Sequence, residues 1–339
     1  MEGCAGMNIV HIAHFDAARA GWNYSQAVNA LGDHKSLLII MVGTPAANTA
    51  HLWAETQEEE SRAALASADA IFWHVGQWHE GPPGPKGYAN TTDAVKYDIT
   101  DMPWCREFFT PDRSIVWFNG SRSLRTCSPF YRQKYRDFRK VATTPDLCLL
   151  LNAHFVPCCI DSRLDSGEMG RLPPYDSNIC GGHFAACDQQ KNSAEIVGVF
   201  KSMNPRINWC QKAGGDFEIA LEQKRHCDLV VDHFQGYYGC NTIEATALGI
   251  VAVNGLAPSV RDMLVEWCGG DLPPWPQASN GDELRAILQW YQREPGRVDA
   301  DGKLHRAWYE RCFGNELKAE RLVSWLDGGG GGVAGVGAL

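Results

Sequence analysis

Between Cys227 and Val253 the chain reads CDLVVDHFQGYYGCNTIEATALGIVAV, the segment whose residue types and spacing most directly suggest chemistry. The pattern predicts a strand ending at His233, a turn carrying Gly236 and Gly239, a short helix holding Glu244, and a second strand. A glycine turn that opens a helix leaves the N–H groups of Gly239, Cys240 and Asn241 exposed at the positive end of the helix dipole. That is an anion site, suited to a phosphate or diphosphate. Glu244 lies about one turn into the helix, where a carboxylate reaches the sugar hydroxyls of a bound nucleotide. The plainer alternative is a buried strand–helix–strand unit whose Ala and Gly residues allow close packing.

Other side chains are candidates for the same chemistry. Lys201 and Arg206, in FKSMNPR just after an apparent strand, have the charge to neutralise a leaving diphosphate. His74 ends the run IFWHVG, where it can position a hydroxyl, and Asn119 and Arg122 in NGSR follow another strand end. Asp299–Ala–Asp301 is the one DxD of the chain, and its place near the C-terminal helices makes it a helix-start or surface feature, so no metal is expected at the anion site. Cys158, Cys159, Cys180, His183 and Cys187 supply soft donors, but their spacing matches no paired zinc pattern, and small buried thiols are the default expectation.

Elements must position these groups. Apolar runs at 7–13, 36–42, 69–74, 114–118 and 147–151 read as buried strands, separated by helical stretches through Leu31 and over 55–68. After a Gly-, Pro-, Asp- and Asn-rich region at 161–192, the pattern restarts. A strand is expected at 195–200, a helix at 217–224, strands at 227–232 and 250–254, and amphipathic helices at 282–291 and 304–326. Alternating strands and helices argue for an α/β protein with parallel sheets covered on both faces.

The segment from Tyr238 to Gly249, with Glu244-Ala-Thr-Ala-Leu-Gly249, resembles the donor-binding segment of GT-B nucleotide-sugar glycosyltransferases, in particular retaining, glycosyltransferase family 4-like members. Asn8 to Ala13 followed by a Gly21-containing loop resembles that family's first strand and donor-facing loop. Val156 to Asp161 looks like its interdomain passage, and 302–326 like its closing helices. The likeness spans most of residues 8–327, but only 228–255 is specific. It implies two Rossmann-like βα domains facing a central cleft. Residues 1–160 would be the acceptor-side domain, 161–192 a linker or insertion, and 193–300 the donor domain. Helices in 301–327 would cross back, and 328–339 would be a disordered tail. It further implies a nucleoside-diphosphate sugar, UDP- or GDP-linked, as substrate, no separate cofactor, and sugar transfer to a hydroxyl with retention and without metal. Gly21, Lys201, Arg206, Gly239, Cys240, Asn241 and Glu244 would hold the donor, with His74 and Glu244 catalytic. The chain departs from the pattern at Gly236, eight positions before Glu244, where close retaining members carry an acid. That departure keeps a non-catalytic sugar-binding module open, and a nucleotide-sugar epimerase is a third reading.

Composition narrows the partners. The net charge of −9 gives no general attraction to nucleic acid or anionic membrane. Residues 122–140, RSLRTCSPFYRQKYRDFRK, are nonetheless locally basic, with aromatics interleaved. One expectation is a helix from Ser128 packing Tyr131, Tyr135 and Phe138 inward. The other is a phosphate-contacting acceptor surface carrying Arg122, Arg132 and Arg136. Some viral GT-B enzymes glycosylate hydroxymethylated bases, so modified DNA joins a glycan or a small molecule as the acceptor. The twelve tryptophans suit either core packing or stacking on sugar rings. With 13 cysteines, an odd number, no basic-then-apolar start at Met1 and no apolar run of spanning length, a reduced cytoplasmic protein is expected.

Overall fold

The computed structural model describes residues 6–13, 16, 19–41, 50–54, 56–75, 103–120, 122–173, 179–185, 191–203, 207–213 and 217–328. Arg206, Cys187, the Pro- and Gly-rich stretch 81–87 and the terminal residues 329–339 lie outside them. The chain divides into two compact units, 1–161 with 315–339, and 162–314.

The first unit is built on a seven-stranded parallel sheet in the order β3-β2-β1-β4-β5-β6-β7. Its strands are β1 (Asn8–Ala13), β2 (Lys35–Ile40), β3 (Leu52–Trp53), β4 (Ala70–Val75), β5 (Ser114–Phe118), β6 (Arg139–Ala142) and β7 (His154–Phe155). Its helices are α1 (Ala20–Ala30), α2 (Glu58–Ser67), α3 (Arg122–Thr126), α4 (Ser128–Lys134) and α5 (Pro145–Leu151). All six residues of β4 and all five of β5 are buried, as a parallel sheet covered on both faces requires. Residues 147–151, expected as a strand, are helical. Pro145 in the first turn, with Asp146 beside it, starts α5, and Asn152 in the left-handed conformation ends it.

The second unit has a four-stranded parallel sheet in the order β11-β10-β8-β9. Its strands are β8 (Ile179–Ala185), β9 (Ile207–Ala213), β10 (Leu229–Val231) and β11 (Val251–Val253). Its helices are α6 (Ser162–Asp165), α7 (Ser193–Met203), α8 (Phe217–Arg225), α9 (Cys240–Ala247), α10 (Pro258–Trp267), α11 (Gly281–Arg293) and α12 (Gly296–Cys312). The last helix, α13 (Asn315–Leu326), belongs to the first unit. There it contributes Ala319, Leu322 and Val323 to the core containing Ala27 and Val28 of α1, and the Asn315 side chain bonds both the N–H and the C=O of Ile160.

Two expectations fail in the second unit. Residues 195–200 are helical, because Ile196, Val199, Phe200 and Met203 fall at i, i+3, i+4 and i+7 and bury one stripe. The region 161–192 is more than a linker, since it holds α6 and β8, an interior strand. Its glycines hide the strand from sequence reading yet serve packing. A Cβ on Gly181 would stand 2.5 Å from Phe200, which fills that space instead. Burying one such ring contributes about 1.5–3 kcal/mol.

Candidate functional site

Open parallel sheets bind ligands beyond the carboxyl ends of their strands, where the strand order reverses. In the first sheet that point lies between β1 and β4, where Ala13 pairs with His74. In the second it lies between β8 and β10. Each unit gathers polar, buried side chains there.

In the first unit four residues form a chain of hydrogen bonds. Trp117 Nε1 donates to Asn119 Oδ1 at 2.8 Å, which turns the Asn119 amide nitrogen toward His74 Nδ1 at 3.0 Å. An amide nitrogen only donates, so His74 Nδ1 accepts and His74 Nε2 carries the proton toward His11 Nδ1, 2.9 Å away. Burial lowers the His74 pKa to about 3, so the ring is neutral at ordinary pH. Both of its nitrogens are committed. His74 therefore organises this pocket wall and offers no free nitrogen to a substrate in this arrangement, contrary to the simplest form of the catalytic expectation. Asn119 is likewise a buried spacer.

Beside this chain, Asp16 stands at the start of α1. Its carboxylate accepts from the N–H groups of Gly21 at 3.2 Å and Trp22 at 2.8 Å. Gly21 is thus in the first turn of the helix, not in a loop, and its missing side chain matters. A Cβ there would stand 2.8 Å from Leu38 and 3.4 Å from His74 Nε2. Burial raises the Asp16 pKa to about 6, against the lowering effect of its helix N–H partners and Arg19. His11 and Asp16 were not singled out by sequence. A lone His inside the apolar run of β1 was the signal for one, and an acid four residues ahead of a helix was the signal for the other.

The second unit bears the turn and helix read from sequence. Gly236 has φ +85°, a conformation that favours glycine, and Gly239 caps α9. The anion at this helix end is the protein's own Asp232. Its Oδ2 accepts from Gly239 N–H at 2.7 Å and Thr242 Oγ1 at 2.9 Å, and its Oδ1 pairs with Lys191. The Gly239 N–H is thereby occupied, which corrects the expectation that all three N–H groups face a ligand. Burial pushes the Asp232 carboxyl up, but the Lys191 and His233 charges and the hydrogen bonds overcome it and hold the group far below the usual carboxylate range. A Cβ on Gly239 would lie 3.0 Å from Asp232 Oδ2 and 3.1 Å from Lys191 Nζ, so glycine is what lets this pair sit against the turn.

Glu244 does not stand alone either. It pairs with Lys224 of α8, a lysine buried to 2% exposure, whose Nζ also donates to Asn241 Oδ1 at 2.9 Å. The Asn241 amide in turn donates to the carbonyl of Phe184 in β8. Cys240, the first residue of α9, is partly exposed. Two lysines, Lys191 and Lys224, thus supply the cations at this helix. Lys201 stands exposed in the last turn of α7 with its ammonium 6.0 Å from the Trp209 ring centre. Lys191 was masked by the irregular composition of 161–192, and Lys224 by its resemblance to an ordinary basic helix end.

The basic strip resolves into parts. Tyr131 and Tyr135 are buried and Phe138 stacks on Phe109 at 4.2 Å, so these three aromatics pack inward while Phe130 is exposed. The helix ends at Lys134, short of Phe138. Arg125 pairs with Asp146 at 2.7 Å, and Arg139 lies over Trp325 at 3.9 Å. Arg132 and Arg136 face solvent, Arg136 beside Asp137 at 3.2 Å. The Arg122 side chain lies outside the described residues. Asp299 and Asp301 lie within α12, on Arg171 at 2.6 Å and Arg297 at 3.0 Å, and so are spent on ion pairs. Of the cysteine–histidine set, His183 has both ring nitrogens engaged, with Val231 O and Ser193 Oγ, and Cys158 and Cys159 belong to the other unit. The buried Trp73, Trp117, Trp267, Trp275 and Trp308 serve the cores.

No protein-family model matches the chain, and no curated protein is similar to it. Solved structures are similar in fold. Anabaena HepE in complex with UDP and glucose aligns with a TM-score of 0.58 at 11% identity, over 95% of this chain and 99% of that one. A glycosyltransferase from Rickettsia africae aligns with a TM-score of 0.58 at 11% identity, over 95% and 98%. Sucrose-phosphate synthase from Thermosynechococcus elongatus gives 0.55 at 11%, over 94% and 98%. The chain has the GT-B fold. No helix among the described residues is long and apolar enough to cross a membrane.

Proposed function

We propose that this protein is a glycosyltransferase that takes a nucleoside-diphosphate sugar, UDP- or GDP-linked, and passes the sugar to a hydroxyl acceptor. The observation that carries the reading is the start of α9, where the Gly236–Gly239 turn, Asp232, Lys191, Asn241 and the Lys224–Glu244 pair meet at the switch point of the second sheet. The fold shared with HepE, solved with UDP and glucose, supports it.

In this reading Lys191 is the diphosphate cation. An ammonium has three donors, so it can hold Asp232 and a phosphate oxygen together, and α9 adds its positive end. As the bond from the anomeric carbon to the diphosphate oxygen breaks, charge collects on the leaving group, where these groups stabilise it without a metal. Glu244 keeps its assignment to donor hydroxyls, held in place by Lys224. The acceptor oxygen bonds to the anomeric carbon and its proton goes to the departing phosphate. We assign this retaining course from the likeness of Tyr238–Gly249 to the donor segment of retaining members. Acceptor recognition is assigned to the first unit, and hydroxymethylated DNA stays among the acceptors through the exposed Arg132 and Arg136.

A thermal-shift series with UDP, GDP and their common sugars tests the donor. Ligand at a hundredfold over its dissociation constant adds about 2.7 kcal/mol, a rise of roughly 2–4 °C at this size. One nucleotide sugar should give that rise, and Lys191→Ala should abolish it. Release of nucleoside diphosphate with an acceptor then marks turnover. No rise with any nucleotide sugar would overturn the reading. Charge reversal of Arg132 and Arg136 should abolish retention of hydroxymethylated DNA while sparing the donor shift; unchanged retention removes that acceptor.

A further inference from the structure

Three cysteines far apart in sequence meet on one face of the second sheet, independently of the donor residues. Cys180 is the second residue of β8, Cys210 lies in β9, and Cys227 stands two residues ahead of β10. Their sulfur atoms all lie within 4.8 Å of one another, and the Cys210 and Cys227 sulfurs are 3.4 Å apart.

The sheet explains the convergence. β8 lies between β9 and β10, and Cys210 is paired in register with Gly182. Cys180 and Gly182, two residues apart on one strand, share a face. A Cβ on Gly182 would stand 2.7 Å from the Cys227 sulfur. The glycine thus leaves room over the sheet that the Phe184 ring, 2.5 Å from that Cβ position, shares with the Cys227 sulfur. Cys227 is fully buried and Cys180 nearly so, while Cys210 is partly exposed and offers the way in. Asp228 is next to the cluster, but its carboxylate is spent on the Cys180 N–H at 2.7 Å and on Arg171. The donor set among the described residues is therefore three sulfurs.

We propose that Cys180, Cys210 and Cys227 form a binding site for a thiophilic d10 cation, with trigonal Cu(I) as the best fit. Thiolates at about 2.3 Å from an ion stand roughly 4 Å apart in a trigonal plane, so the sulfurs need move by less than an ångström or so to close on it. Soft thiolates select Cu(I) and Zn(II), and a structural zinc site takes four ligands where this one supplies three. Thiols give up their protons on binding such an ion, so affinity falls as pH falls. The ion would staple β8 to β9 and to the lead-in of β10, away from the strand ends where the donor residues gather.

The test uses the full chain purified anaerobically under a phosphine reductant, with chromophoric chelators competing for Cu(I) in one arm and Zn(II) in the other. The wild type should retain one equivalent of Cu(I). Cys210→Ser and Cys227→Ser should weaken retention by more than roughly 100-fold, beyond the loss that an outer partner causes. Cys127→Ser, a thiol in the first unit, should leave it unchanged. Preferential retention of Zn(II) would keep the thiolate site and replace the ion. Absorption-edge spectroscopy of the loaded wild type needs no variant, and should find three sulfur neighbours at about 2.3 Å. Equal retention by all variants, no retention by the wild type, or a Cys210–Cys227 disulfide in place of the ion would overturn the proposal.

Discussion

At the scale of single residues, the candidate donor site is defined by how its charges are compensated. Lys224 is buried, and its ammonium is held by Glu244 and Asn241. Removing one member of a buried pair leaves the other charge desolvated, at a cost of about 3–5 kcal/mol, whereas replacing both with apolar groups costs far less. Glu244→Met should therefore destabilise strongly, and Glu244→Met with Lys224→Met should recover much of the loss in urea unfolding. Additive losses would mean that the pair is hydrated. The same logic applies to His74. Asn119 donates to its Nδ1, so Asn119→Asp replaces a donor with an acceptor and stabilises the protonated ring. The His74 pKa should climb from about 3 by at least one unit, as read from imidazole resonances against pH. An unmoved resonance would show that Asn119 does not set the tautomer. Glu244, His74 and Asn119 stood out in the sequence because each ends or follows an apolar run. Lys224 as the partner of Glu244, and the Asn119–His74 bond, emerged only once α8 was laid against α9 and β5 against β4, since compensation between neighbouring elements has no signature in linear spacing.

At the scale of elements, α9 is the segment whose sequence and structure agree most closely. Glycines at its start, an apolar stripe and a closing Gly249 mark both of its ends. What sequence did not convey is that Asp232 fills the cap. The carboxylate takes the Gly239 N–H and the Thr242 hydroxyl, a capping arrangement reached from the end of β10. Asp232→Ala should cost about 1–3 kcal/mol, more than a surface cap, because Lys191 and Thr242 lose their acceptor in a buried place. Gly239→Ala should weaken the same contacts by pushing a methyl against Asp232 and Lys191, and donor-induced stabilisation should fall with it. Full donor stabilisation in Gly239→Ala would remove the turn from the site. The elements misread from sequence, β8, α5 and α7, were hidden in two ways. EIVGVF and LCLLL are apolar runs too short for periodicity alone to assign, and ICGGHFA looks like a loop until Phe200 and the cysteines are seen filling the space over its glycines.

At the scale of the whole molecule, burial of neutral histidines sets how the fold responds to acid. Burial lowers His74 to about 3 and His305 to about 4, and burial, with the neighbouring His74 and His51, holds His11 well below its ordinary value. In the unfolded chain each would titrate near 6.5. Below that pH the unfolded state binds protons that the native state refuses, so stability drops as pH falls, by about 1.4 kcal/mol per unit for each ring. Asp16 acts in the opposite sense. Its raised value of about 6 means that the native state keeps a proton the unfolded chain has lost, so its contribution is present at low pH and disappears as pH rises through 6. Three rings against one carboxyl leave a net loss of roughly 2–3 kcal/mol per unit between pH 6 and pH 5. Urea midpoints at pH 7.5, 6 and 5 should decline accordingly. Two variants separate the contributions. His305→Gln keeps an acceptor for the Ala252 N–H and a donor for the Pro274 carbonyl but cannot take up the proton, so it should flatten the decline by one ring's share. Asp16→Asn cannot release a proton, so it should steepen the decline by a similar amount. A midpoint that stays level from pH 7.5 to pH 5 in the wild type would mean that these rings titrate in the native state, and with them the hydrogen-bond chain from Trp117 to His11 would fail.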